Sequence, residues 1–158
     1  MHFDSLARFL LICFIFFSNL SLIVGQAATK TISETGTTTR TLTITLNVNA
    51  AMAINDTITI SGLTGTATAN AAALAIYGPA AGKFSVSGAT SKGAWTQSSG
   101  TLVLTVASNQ TINAGTQINL LITLSEPITV QSGGVTPRIK MTLTGSDNIS
   151  YTDLDKVA

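Results

Sequence analysis

Between residues 41 and 48 the chain alternates without exception, placing Leu42, Ile44, Leu46 and Val48 at every second position with threonine or asparagine between them. Successive side chains of a strand point to opposite faces, so this pattern predicts a strand with one face buried and one in water. The alternation returns in Thr57-Ile58-Thr59-Ile60, in 101–106, in 118–124 and in Ile139-Lys140-Met141-Thr142-Leu143. Leu74–Tyr77, Lys83–Val86 and Ala94–Gln97 are shorter candidates. Ser61-Gly62, Gly78-Pro79, Ala81-Gly82, Ser98-Ser99-Gly100, Asn113-Ala114-Gly115 and Gly133-Gly134 separate them with turn chemistry. Seven to nine short strands at this spacing predict an all-β, antiparallel sandwich. Shared parity assigns Leu42, Ile44, Leu46, Ile58, Ile60, Leu102, Leu104, Val106, Ile118, Leu120, Ile122, Met141 and Leu143 to one core between two sheets.

Two stretches depart from this rhythm. The alanine-rich run from Ala67 to Ala75 favours helix by composition, with Asn70 as a cap, and reads as a loop or single helical turn crossing between the sheets. Residues 28–39 read as a mobile lead-in, with an edge strand at Lys30 to Ser33. The sandwich is then expected over 40–146, one domain without internal repeats, followed by a polar, acidic tail over 147–158.

The N-terminus changes the picture. An apolar run from Phe9 to Val24, followed by Gly25-Gln26-Ala27-Ala28, predicts a secretory signal peptide over 1–27, cleaved between Gly25 and Ala28. The run is shorter than the ~20 apolar residues a membrane-spanning helix requires. Ile12 before Cys13 is too bulky for a lipidation signal, and no second apolar span follows, so the mature chain is expected to carry no transmembrane anchor. The sole histidine, His2, and the sole cysteine, Cys13, lie inside the removed segment, which leaves no disulfide. The net charge of +1 comes from scattered lysines and arginines; only Arg138 and Lys140 share a strand face. Nucleic acid is not an expected partner, because phosphate binding needs clustered cations.

Ile58-Thr59-Ile60-Ser61-Gly62-Leu63-Thr64-Gly65, Gly93-Ala94-Trp95, the segment Gly100 to Ala107, Ile112-Asn113-Ala114-Gly115-Thr116 and the strand ending Ser125-Glu126-Pro127 together resemble the Ig-like β-sandwich repeats of large microbial surface and adhesin-like proteins. The resemblance covers most of residues 40–144 and is carried by strand-and-turn patterns. It implies a module of a kind that comes in tandem arrays and uses calcium at module junctions.

Candidate chemistry is narrow. Without histidine or cysteine, Ser-His-Asp, Cys-His and the usual zinc sites are excluded from the mature chain. Glu34, Asp56, Glu126, Asp147, Asp153 and Asp155 remain, and a glycosidase would need two of them facing each other across a cleft. Scattered acids beside turns read as solvated loop charge, so no enzyme is expected. Asp147, Asn148, Asp153 and Asp155 supply oxygen ligands within a short stretch, a candidate calcium site that matches no EF-hand loop. Trp95 reads first as a plug between sheets, or, with Tyr77, as a sugar-stacking platform.

Threonine supplies about a fifth of the mature chain, often as Thr-x-Thr. Strand propensity explains this as well as an ice-binding array would. Asn55, Asn109 and Asn148 head acceptor sequons for N-glycosylation; Asn109 and Asn148 are expected in turns and Asn55 just before a strand. Together these features predict a secreted, non-catalytic structural or adhesive protein of a cell surface or extracellular matrix. It would assemble with other copies of itself through uncharged sheet edges, the 29–39 segment serving as donated strand, or bind other surface proteins. The alternative is a carbohydrate-binding module using Trp95 and Tyr77.

Overall fold

The computed structural model describes residues 27–35, 39–48, 50–125, 137–144, 152–153 and 155–156. The expected signal peptide, apart from Ala27, lies outside them. The strands are β1 (Ala27–Thr35), β2 (Thr39–Val48), β3 (Thr57–Ser61), β4 (Ala71–Tyr77), β5 (Ser85–Val86), β6 (Ala89–Thr90), β7 (Lys92–Thr96), β8 (Thr101–Thr105), β9 (Gln117–Ser125), β10 (Arg138–Thr142), β11 (Thr152–Asp153) and β12 (Asp155–Lys156). A 3-10 turn at Ala81–Lys83 is the only helical element among the described residues, and no helix there is long and apolar enough to cross a membrane.

The fold is all-β. One curled sheet runs in the order β11-β10-β3-β8-β7-β4-β9-β2-β1-β12, and β5 with β6 forms a small separate hairpin. Every pairing is antiparallel except β1 with β12. Burial alternates along β3, β8, β9 and β10, as the residue pattern requires. All the residues assigned to the core by parity are buried in one cluster, which Val48, Met52, Leu63, Ile76, Phe84, Trp95, Ile112, Leu124 and Ile139 complete.

The sheet turns its corner at β4. Ala71, Leu74 and Ala75 lie opposite β7, whereas Ile76 and Tyr77 lie opposite Ile122 and Leu121 of β9. A register shift between Ala71 and Leu74 accompanies this change of partner, the device by which one strand serves two sheet directions. The alanine-rich run is therefore a strand from Ala71 onward, not a helical turn. Helix propensity amounts to a fraction of a kcal/mol per residue, and pairing with two neighbours overrides it.

β2 and β3 follow each other in sequence but do not pair: β2 lies against β9, and β3 against β8. The same holds for β8 and β9. The connections β2–β3 and β8–β9 thus cross, and they touch where Met52 and Ile112 exchange backbone hydrogen bonds of 2.8 and 3.0 Å. Around this crossing the contacts repeat with a local two-fold. Val48 donates to Thr116 O and accepts from Gly115 N, while Val106 donates to Asp56 O and accepts from Asn55 N. Asn55 (φ 69°) and Gly115 (φ 80°) hold equivalent left-handed positions in the two turns. The two segments carry the same apolar spacing, Met52, Ile58 and Ile60 against Ile112, Ile118 and Leu120, a likeness too short to mark a repeat in the sequence alone.

β1 is longer than the edge strand expected at 30–33. It pairs with β2 from Ala27 opposite Val48 to Thr35 opposite Thr41.

Candidate functional site

Tyr77 ends β4 and is one of two large hydrophobic residues exposed among the described residues, at 57 %. It borders a shallow recess of about 430 Å³ lined also by Gly78, Ala81, Thr90, Ser91 and Lys92. Gly78 permits the turn that leaves Tyr77 outside. Its φ of +101° is a glycine conformation, and a Cβ there would sit 2.8 Å from Asn119 O. The recess therefore offers an aromatic ring, hydroxyls and an ammonium group on an open surface, a set suited to weak contact with a polar ligand.

Trp95 does not belong to this surface. It is 2 % exposed in the core, and its Nε1 donates to Thr68 O at 3.0 Å. On the β4 ladder Trp95 faces Ala71 while Tyr77 pairs with Leu121. Six residues of strand, roughly 20 Å, separate Ala71 from Tyr77. The paired sugar platform is thus corrected: a buried indole has no free face for a sugar to stack on.

The Trp95 bond belongs to a connector that sequence reading missed. Thr66 Oγ1 donates to Ser125 O (2.8 Å), Ser125 N donates to Thr68 Oγ1 (2.7 Å), and Gln97 Nε2 donates to Thr66 O (3.0 Å). Residues 66–68 thereby tie the end of β9 to β7. The local Thr66/Thr68 spacing hints at a strand, and only the distant partners reveal a clasp.

Of the candidate carboxylates, Asp56 is 3 % exposed. It accepts from Ala53 N (2.7 Å), from Thr144 N (2.6 Å) and from the Thr144 hydroxyl. Burial pushes its carboxyl up, but the hydrogen bonds from Thr144 and Ala53 outweigh this and hold it below the ordinary value of 3.8. An acid held ionised by fixed donors suits a clasp, not proton transfer. Asp153 and Asp155 lie on β11 and β12, which extend opposite edges of the sheet order. Asp147 and Asn148 of the candidate calcium site, and Glu126, lie outside the described residues.

Asn55 and Asn109 both stand exposed in turns with left-handed backbone, φ 69° and 63°. Asn55 precedes β3, and its turn leaves it exposed like Asn109. The threonines do form short rows: Thr57 of β3 lies between Thr105 of β8 and Thr142 of β10. Lys83 Nζ reaches Thr111 O at 3.2 Å.

Compared with known proteins, the chain matches no family model and no curated protein.

Proposed function

We propose that this chain is an exported, non-catalytic structural or adhesive module of Ig-like β-sandwich architecture, working at a cell surface or in an extracellular matrix beside other copies of itself and other surface proteins. The crossed β2–β3 and β8–β9 connections support the architecture, because each passes from one part of the curled sheet to another around a single core. The observation that carries the functional reading is where the chemically versatile side chains are used. Asp56 clasps Thr144, Trp95 is enclosed, and Lys83 holds a loop carbonyl. What faces solvent on the strands is mostly hydroxyl and amide, a surface for contact. Exposed turns at Asn55 and Asn109 suit glycan attachment.

Export is the decisive test. Signal cleavage between Gly25 and Ala28 would leave β1 nearly whole. Mass spectrometry of material secreted by an expressing cell should find an N-terminus between Gln26 and Thr29. A mature product retaining Met1 or Phe9 would defeat the reading.

The recess beside Tyr77 favours a second reading, in which the module contacts glycans through that ring without Trp95. On this reading Tyr77→Ala abolishes retention on a glycan array while the core, and with it Trp95 fluorescence, is unchanged. Equal retention of both proteins would remove it.

A further inference from the structure

The strand that should run beside Tyr77 leaves before reaching it. Ala75 lies opposite Lys92 on the ladder between β4 and β7, and a continued ladder would set Thr90 opposite Tyr77. Ser91 prevents this. Its backbone is left-handed at φ 57°, a conformation unfavourable to a residue with a Cβ and of a kind that clusters at functional sites. Its carbonyl accepts from Ile76 N (3.0 Å), while its own N–H donates to Phe84 O (2.9 Å). The chain is thereby turned off β4, and Thr90 pairs with Ser85 in the small hairpin instead. That hairpin closes on Ser87 and Gly88, both left-handed, as a two-residue turn of type I′ does. The recess of about 430 Å³ is the gap so opened between Tyr77 and the hairpin.

Its charge is one-sided. Ile76 and Trp95 are buried, so by parity Tyr77 and Lys92 project from the outer face of the sheet. Tyr77 lies two residues beyond the partner of Lys92, a diagonal spacing of about 7 to 8 Å that long side chains bridge. From Thr57 to Ser125, a stretch that supplies β4, β7, β9 and the hairpin, there is no aspartate or glutamate, and Lys83 and Lys92 are the only charged residues. Lys83 Nζ is engaged with Thr111 O. The Lys92 ammonium is thus the cation left at the recess, with no carboxylate on any of these elements to neutralise it.

We propose that the recess binds a sugar unit carrying an anionic group, a carboxylate or a sulfate ester. The Tyr77 ring stacks on the C–H face of the sugar, Lys92 pairs with the anion, and the Thr90 and Ser91 hydroxyls bond the sugar hydroxyls. This rests on the reading of glycan contact through Tyr77 and names the ligand class. A neutral sugar can use the ring and the hydroxyls but gives the ammonium no counter-charge, so charge is what discriminates.

Retention of the full chain on immobilised oligogalacturonate, sulfated galactan and neutral galactan tests this. Retention is expected on one or both anionic chains, weakened about fivefold by Lys92→Gln and restored by Lys92→Arg. Which anionic chain is held assigns carboxylate or sulfate. Tyr77→Ala should abolish retention, with unchanged Trp95 emission showing that each variant is folded. Anionic retention unmoved by Lys92→Gln overturns the proposal. Equal retention on all three chains, lost in Tyr77→Ala but not in Lys92→Gln, also overturns it and leaves glycan contact standing. Retention on none overturns both. Should Lys92→Gln fail to fold, salt decides on the unaltered chain: anionic retention should fall several-fold as ionic strength rises, and salt-independent retention overturns the proposal.

Discussion

Truncating Leu104 or Ile122 to alanine is expected to cost about 2 to 5 kcal/mol of folding stability, whereas Thr43→Ala or Thr105→Ala should cost below about 1 kcal/mol. Both aliphatic side chains are fully buried. Leu104 packs over Gly93, where an added Cβ would meet its Cδ2 at 2.9 Å. Little slack exists there, so a cavity at Leu104 collapses poorly. Ile122 lies opposite Leu42 on one side and Ile76 on the other, at the place where β4 joins β9. Its truncation loosens the corner of the sheet as well as the core. Thr43 and Thr105 sit half-buried on the opposite faces of β2 and β8. Denaturant unfolding followed by Trp95 fluorescence checks this, since the enclosed indole should emit to the blue and shift red on exposure. Equal costs on the two faces would contradict the observed register, because one residue of slip exchanges the faces of a strand.

The same parity explains what could be read without coordinates. β2, β3, β8, β9 and β10 each bury one face, and burial of one face writes itself into sequence as alternation. β4 left such a trace only in its second half, Leu74 to Tyr77. Ala71 to Ala73 are small and partly or fully exposed, so nothing in their order marks a face, and the first half of the strand exists because β7 pairs with it while β9 takes up Ile76 and Tyr77. β1 is visible in the sequence only as Lys30 to Ser33 for a related reason: its residues do not alternate, and its extent follows the long ladder it makes with β2.

The candidate site was less legible than the fold. Tyr77 could be named as an aromatic residue near a turn, but its exposure depends on the left-handed Gly78 that follows it. Trp95 could be weighed only by position, and the carbonyl that receives its N–H comes from Thr68, 27 residues away. Long-range partners of this kind have no local signature. The crossing at Met52 and Ile112 is the clearest case, since 60 residues separate the two and neither lies in an alternating run.

Asp56→Ala is expected to destabilise the protein by about 2 to 4 kcal/mol at neutral pH, through loss of a buried charged acceptor and the stranding of its donors. Asp56 precedes β3, and Thr144 lies just past β10, 88 residues later. The clasp adds one more fastening beyond Thr142 opposite Thr57, the last pair of that ladder. Thr144→Val removes the hydroxyl donor but keeps the N–H, and should cost nearer 1 kcal/mol. The pH dependence follows from the lowered carboxyl pKa of the folded state. Because the unfolded chain takes up the proton first, the clasp's contribution is complete above the unfolded value near ~4 and drains away as pH falls toward the folded one. Urea midpoints of the parent protein and of Asp56→Asn, measured from pH 7 down to pH 2, should therefore converge in acid. An amide cannot replace the carboxylate at neutral pH, since its NH2 would confront one of the donors. A gap that stays constant across that range would show that Asp56 acts through packing alone, and that charge has no part in holding β10 to the turn before β3.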